Sequence, residues 1–286
     1  MLALSSFDSV LRAVRTARRV EVAAYTLHGP VLQAVEAAAR RGAVVTVELE
    51  GAPFNDRGHR LARENRRIAA ELRRCGADAV FARGEHAKAI VADSTLYLDG
   101  KNWRSDDLIV SEDDPSEAAV IPAIKHAALE EERRLIDGAQ PLDDAIVETE
   151  SFGCCNAVLA ALERLARAGA APRLLVCKSD LTGNARERAL LERLTSQGVS
   201  VRVSSDSEKL AACGDAAWLG SANATLAIPG DEETDWGVDT RDAAIVRAVR
   251  ERLEARWRSA RPLDAEKRVR VGVGDGNHVV ERLGEH

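Results

Sequence analysis

Aromatic side chains are scarce in this 286-residue chain. Phe, Tyr and Trp together make up 3% of it, so a core has to rest on Leu, Val, Ile and Ala. Lysine is also rare, 6 against 34 arginines, a coding bias more than a functional one, but one that makes each lysine informative. The five cysteines (Cys75, Cys154, Cys155, Cys177, Cys213) are odd in number and lack C-x2-C spacing. They give no support to a zinc site or a secreted disulfide framework, and the expected compartment is a reducing cytoplasm. Cys213 and Cys154 read as buried small hydrophobes rather than reactive thiols. No run of about 18 apolar residues is present, so no spanning helix is expected. The opening MLALSSFDSVLRAVRTARR has neither a sustained apolar core nor a cleavage site, so no signal peptide is expected. With a formal charge of −6 and a sequence pI near 5.7, a general nucleic-acid coat is disfavoured, though a local basic groove fits inside an acidic average. Nothing in the composition calls for a cofactor or a metal.

The periodicities present are those of an α/β protein. Ser6–Arg19 reads as an amphipathic helix, Val20–Leu27 as a strand, and a helix follows His28-Gly29-Pro30 until Gly42. A strand over Ala43–Leu49, a helix over Gly58–Arg74 and a strand over Ala79–Ala82 lead to a hairpin. A strand at Asp106–Val110 and a helix started by Asp114-Pro115-Ser116-Glu117, with Pro122 inside it, close the series. Gly138-Ala139-Gln140-Pro141 looks like a seam, and beyond it the events recur. Strands at Ala145–Phe152, Arg173–Cys177 and Val199–Val203 alternate with helices at Ala157–Ala168 and Asn184–Gln197. They lead to a second hairpin region, SSDSEKLAACGDAAWLGSANAT, then a strand through Val238 and a helix ending near Trp257. This last helix is expected to match the one before the seam. The period is about 120 residues, too long for a solenoid. The reading is therefore two similar α/β halves, 1–138 and 139–286, facing each other. Alternating Val269, Val271 and Val273 ahead of Gly274-Asp275-Gly276-Asn277 suggest a further edge hairpin in the tail.

The informative stretch is Glu85–Trp103. It carries His86-x-Lys88-x4-Asp93, then Gly100 and Asn102. A half-buried hairpin accounts for its apolar residues. It does not account for a His and a Lys two residues apart, on one side of a strand, at the hairpin mouth. The second half offers Lys209 and Gly220-Ser221-Ala222-Asn223 at the matching place.

With these motifs and the duplication, the chain resembles the phospholipase D superfamily over most of residues 18–260. The resemblance implies α/β/α sandwich halves with mixed sheets related by a pseudo-twofold axis, and one His-Lys-Asn set from each half meeting in a single cleft. It implies a phosphodiester hydrolase or transferase working without metal through a phosphohistidine. On that basis His86 is the nucleophile, and Lys88, Asn102, Lys209 and Asn223 clamp the phosphate. Asp107 or Asp235 orients His86, and Asp93 is structural. Ser207, Ser221, Lys101 and His28 are further candidates for contact with substrate. The implied partner is a phosphodiester: a phospholipid head group, a nucleic-acid end or a small soluble diester. The chemistry suits the residues, because imidazole attacks well when its far nitrogen donates to a carboxylate. Ammonium and amide groups then neutralise the charge that Mg²⁺ handles elsewhere.

The chain also departs from the family pattern. Gly-Ser-x-Asn reads in the first half as Gly100-Lys101-Asn102, one residue short and without Ser. The second hairpin reads one residue shorter than the first, with Gly214-Asp215 at its turn. Ser207 stands where the second histidine, the family's proton donor to the leaving oxygen, is expected. Losing such a donor costs about 10²–10⁴-fold. Three outcomes stay open: a neighbour such as His28 or Glu208 substitutes, the leaving group needs no proton, or the chain is an impaired phosphate- or nucleic-acid-binding module.

Overall fold

Val20, Val22 and Ala24 are buried and alternate with partly exposed Glu21 and Ala23, and this alternation forms β2 (Arg19–Ala24), the pivot of the first sheet. The structure, a computed structural model, describes residues 2–54, 56–113, 123–140, 143–177, 181, 184–225 and 233–263. Beside β2 run β3 (Val44–Glu50) and β4 (Asp78–Ala82), both parallel to it and reached through α2 (Gly29–Arg40) and α3 (Arg60–Arg74). On the other side β5 (Lys88–Ala92), β6 (Thr95–Asp99) and β7 (Ile109–Asp113) follow antiparallel, and β1 (Leu2–Ser5) closes the β7 edge. The first helix, α1 (Phe7–Thr16), is capped by Ser6, whose hydroxyl accepts from the Ser9 N–H at 3.1 Å.

The second sheet repeats this order. β9 (Ile146–Thr149) is its pivot, with β10 (Arg173–Cys177) and β11 (Ser200–Ser204) parallel beyond α5 (Ala157–Arg167) and α6 (Ala185–Ser196). β12 (Lys209–Cys213), β13 (Ala216–Gly220) and β15 (Gly237–Thr240) are antiparallel on the other flank. Only the additions differ: β16 (Arg261–Pro262) sits on β11, whereas the corresponding β4 edge in the first sheet has no further strand among the described residues. The expected class, duplicated α/β halves with mixed sheets, is therefore the fold of the chain.

Three cores separate the layers. One lies under α1, α2 and α3 on the outer face of the first sheet. Another lies under α5 and α6 on the outer face of the second sheet. Between the sheets, Ala89, Leu96 and Leu98 meet Leu210, Ala212 and Leu219, and α7 (Ala243–Ser259) inserts Ile245, Val249 and Leu253 there.

This layering corrects the pairing of the helices. α4 (Lys125–Asp137) buries Ala128, Leu129 and Ile136 in the second outer core and packs on α5 and β15. It precedes β9 and lies on α5 just as α1 precedes β2 and lies on α2. It is thus the counterpart of α1, and α7 has no counterpart among the described residues of the first half. Apolar spacing alone could not reveal this, because it shows that a helix has a buried face but not which sheet covers it. The strand expected at Asp106 begins at Ile109, and β1 and β16 were not anticipated because each is too short for a period-2 signal. Cys213 is buried as expected, but Cys154 is exposed. The helix start at Asp114, Pro122, Pro141 and the tail hairpin lie outside the described residues.

The hairpins β5–β6 and β12–β13 have equal length, five residues, a two-residue turn and five residues, so the expected one-residue difference is also corrected. Asp93 and Gly214 occupy the same turn position with the same φ of +53°. Asp93 bears out its structural reading: its carboxylate accepts the N–H groups of Arg18 and Arg19 at 2.8 and 3.0 Å, fixing the start of β2. Aligned from these turns, Asp99-Gly100-Lys101-Asn102 corresponds to Gly220-Ser221-Ala222-Asn223 without a gap.

The two loops touch. A Cβ on Gly100 would lie 2.8 Å from the carbonyl oxygen of Gly220, and one on Gly220 would lie 2.5 Å from the Trp218 ring and 2.6 Å from the Trp236 carbonyl. Gly220→Ala is therefore expected to destabilise the protein by about 1–3 kcal/mol, the usual cost of overpacking. Gly138→Ala, where a Cβ finds ordinary contact, serves as the control. Urea unfolding of both variants checks this; equal midpoints would contradict it.

Candidate active site

β2 and β9 end side by side with the hairpin mouths, at the carboxyl edge where open α/β sheets present their sites. His86 enters from the loop between β4 and β5 and is held on its backbone by β14 (Thr234–Asp235). The His86 N–H donates to the Thr234 carbonyl at 3.0 Å, and the Thr234 N–H to the Gly84 carbonyl at 2.7 Å. β14 itself pairs with β8 (Ala123–Ile124). The imidazole Nδ1 lies 2.7 Å from Oδ1 of Asp235, which also accepts the Ser221 hydroxyl at 2.7 Å. The Ser221 oxygen in turn accepts the Trp236 N–H at 3.0 Å. Of the two expected orienters, Asp235 is the one bonded to His86. With Nδ1 donating, Nε2 keeps its lone pair free.

Asp235 has no exposed surface, yet its carboxyl sits below the usual range. Burial pushes it up, but the charge and hydrogen bond of His86, then Lys88, pull it further down. His86 is shifted down by burial and then by Lys88, against the upward pull of Asp235, which favours the neutral ring. Its side chain retains 12% exposure, enough to meet a ligand. Tyr25 packs edge-on against it, ring centroids 5.5 Å apart at 77°.

Lys88 and Lys209 are each 2% exposed. Lys88 donates to the His86 carbonyl, and its nitrogen lies 5.9 Å from the centre of the Tyr25 ring. Burial and then the charge of Lys209 pull its pKa down to about 7. Lys209 pairs with Glu150 at 2.9 Å and reaches the Gly100 carbonyl at 3.4 Å. Burial pushes Glu150 up, but Lys209, Lys88 and His86 together hold it below the usual range, which places all four groups in one site. The buried amide oxygens of Asn102 and Asn223 have no hydrogen-bond partner among the described residues, a matched pair across the two halves.

Lys101 is drawn elsewhere. Its ammonium pairs with Asp107 at 2.9 Å and Asp206 at 3.2 Å. Ser207 is half-buried beside it, its N–H donating to Asp206 at 2.7 Å. His28 is exposed at the N-cap of α2 and makes no side-chain cap bond there. His86, Glu233 and Asp235 offer ligand atoms within 4.8 Å of one another, the one grouping able to take a metal among the described residues. Glu233 is already paired with Lys125 at 2.7 Å, and Asp235 with His86.

Sequence reasoning missed Tyr25, Glu150 and Glu85. Tyr25 follows Ala24, which lies opposite Lys88, and Glu150 follows Thr149, which continues the β9–β12 register opposite Lys209. The residue after the strand facing each motif lysine is the signal that would have found both. Glu85 is pushed up to about 7 by burial and then by Glu48; nothing in the sequence announces that burial.

Among solved structures, the chain is similar to phosphatidylserine synthase of Haemophilus influenzae, at 10% identity and a TM-score of 0.60, covering 90% of this chain and 86% of that one. It is also similar to polyphosphate kinase of Porphyromonas gingivalis, at 15% identity and a TM-score of 0.58 over 90% of this chain. It spans about half of that enzyme, 47%. A partial match covers 46% of this chain with Nuc of Salmonella typhimurium, described as a phospholipase D family member, at 18% identity and a TM-score of 0.39. No protein-family model matches the chain, and no curated protein sequence does. At these identities the likeness defines the fold: it is the duplicated phospholipase D-like fold. No described helix is long and apolar enough to cross a membrane.

Lys88 binds its proton less tightly folded (about 7) than at its ordinary value of 10.5. Between those values the unfolded chain holds the extra proton, so this group makes stability rise with pH across that window and imposes its full penalty below it. Lys88→Met should therefore raise stability at pH 7 by on the order of 1 kcal/mol and flatten the rise between pH 7 and 10. Urea unfolding along that pH series measures both; an unchanged slope would contradict the burial argument.

Proposed function

We propose that the chain is a phosphodiester hydrolase or transferase acting through a phosphohistidine at His86, in a site shared by the two halves. The observation that carries this is the His86–Asp235 bond, which leaves Nε2 free beside two buried lysines. Nε2 attacks phosphorus, while Lys88, Lys209, Asn102 and Asn223 hold the equatorial oxygens. Asp235 keeps the tautomer and stabilises the imidazolium that forms. The cationic cluster does the work of a metal, so activity is expected to survive a chelator. The substrate is a phosphodiester drawn from lipid head groups, nucleic-acid ends or small soluble diesters. The division into halves belongs to the same proposal, with the packing of α4 arguing for a seam before that helix rather than at residue 138.

A second reading, a phosphate- or nucleic-acid-binding module without turnover, is favoured by Ser207 alone. One experiment separates the two. ³²P-labelled diesters are mixed with enzyme and quenched in alkali, where phosphohistidine persists. Label is expected on the wild type and absent from His86→Ala. Asp235→Asn, which spoils the tautomer but not the shape, should lower the labelling rate by up to about 10⁴-fold, the loss that the same change causes where a carboxylate orients a general-base histidine. Label of equal yield in His86→Ala would reject the nucleophile, and no label from any diester would leave the binding module.

A further inference from the structure

The pseudo-twofold axis carries each half of the site onto the other and shows what became of the second histidine. Its backbone place is Ser207, two residues before Lys209 as His86 is two before Lys88. Its orienting carboxylate survives: Asp107 is the counterpart of Asp235, since Asp99 pairs with Ile109 in the first sheet and Gly220 with Gly237 in the second. Where Asp235 holds an imidazole nitrogen at 2.7 Å, Asp107 holds the Lys101 ammonium at 2.9 Å. The seat of the missing ring is filled by a lysine from the other half.

Among the described residues, the titratable groups around that seat are committed to one another. Glu148, pushed up to about 7 by burial, is 1% exposed and bonded to Arg256. Lys101 is held charged: burial opposes its charge, but Asp107, Glu208 and Asp206 overcome that and raise its pKa. Asp206 keeps its carboxyl below the usual range through Arg256 and Lys101, against burial. Glu208 is 1% exposed, with Arg252 and Arg256 both at 2.6 Å and the Leu108 N–H at 2.9 Å on its oxygens. Glu150 is ionised against Lys209. The Ser207 hydroxyl is too weak an acid. Asp99, raised by burial and then by Asp107, has no exposed surface and is enclosed by the Lys101 and Trp103 N–H groups.

We propose that Lys101 plugs the second histidine's seat, so that the leaving-group side of the site carries no general acid and the substrates are phosphoryl compounds whose leaving group departs as an anion: activated aryl-type diesters or phosphoanhydrides rather than alkyl diesters. The proposal rests on His86 being the nucleophile. In the step, the Nε2 lone pair forms the P–N bond as the P–O bond breaks, and the electron pair leaves on oxygen. The Nδ1 proton stays on the imidazolium against Asp235. Water then displaces the imidazole from phosphorus, forming a P–O bond and releasing its proton to solvent. In-line displacement puts the departing oxygen opposite His86, on the side where the plug and Lys209 stand.

The test is a leaving-group series on the wild-type chain: methyl aryl phosphodiesters of graded phenol acidity, dimethyl phosphate and inorganic tripolyphosphate, each read by kcat/KM and by alkali-stable label on His86. The expected result is a steep fall in rate as the leaving group becomes more basic, with turnover of tripolyphosphate and none of dimethyl phosphate above background. The double variant Lys101→Ala, Ser207→His, which empties the seat and supplies an imidazole beside Asp107, should raise the rate on the most basic aryl leaving group by about 10² relative to the most acidic one and so flatten the series. A flat series in the wild type would overturn the proposal while leaving the nucleophile intact. So would alkyl diester cleavage that declines above pH 7, which would hand the acid role to Lys88. Absence of His86 label with every member would remove the nucleophile and the proposal together.

Discussion

A carboxylate with no exposed surface, Asp235, joins the two halves and sets the chemistry between them. It belongs to a strand of the second half, yet its principal partner, His86, comes from the first, and the backbone of Thr234 beside it is stitched to Gly84 and His86. Burial alone would protonate such a group. It stays charged because an imidazole N–H and a serine hydroxyl donate to it and a lysine lies close by. The imidazole and the carboxylate come from opposite sides of the interface, so this bond forms only where the two sheets meet.

The two buried lysines are provided for unequally. Counterpart positions at the strand ends carry Tyr25 beside Lys88 and Glu150 beside Lys209. An aromatic face offers a partial charge, whereas a carboxylate offers a full one. Lys209 is therefore compensated by its own carboxylate, and Lys88 is left under-compensated, which is why its proton is loosely held. An oxyanion placed between them supplies the countercharge that Lys88 lacks, so anion binding and relief of a folding penalty coincide.

Much of this was legible beforehand, and for identifiable reasons. The duplication shows as recurring apolar periods, because each half must bury the same faces. His86 and Lys88 stand out because a polar pair on one side of a strand at a hairpin mouth has no packing role. Contacts between halves were not legible. Apolar spacing in α4 shows a buried stripe without naming the sheet that covers it, and Asp107 and Asp235 stand at equivalent places in the two halves, so local pattern does not choose between them for His86. The gap read between Gly100 and Asn102 came from aligning the wrong glycine; hairpin register puts Asp99 opposite the motif's glycine and removes the gap. Lys101 was read as a substrate contact because its partner Asp206 lies 105 residues away, beyond any local pattern.

Three departures from symmetry in these loops depend on one another. A serine at position 100 would drive its Cβ into the Gly220 carbonyl, so the first-half loop needs glycine there. Without a serine, Asp107 loses the hydroxyl donor that Asp235 keeps in Ser221. Without a histidine at 207 it lacks the ring donor as well and is left with the Arg104 N–H at 2.6 Å, and a buried carboxylate without a countercharge costs several kcal/mol or takes up a proton. Lys101 answers both losses with one ammonium, and Asp206 at the position before Ser207 gives that ammonium its second acceptor. Restoring a side chain at position 100 alone creates a clash, and removing the Lys101 ammonium alone leaves Asp107 without a countercharge. The second half of the site is thus a compensated arrangement held by its own ion pairs, and the asymmetry of the reaction centre follows from how those charges were satisfied.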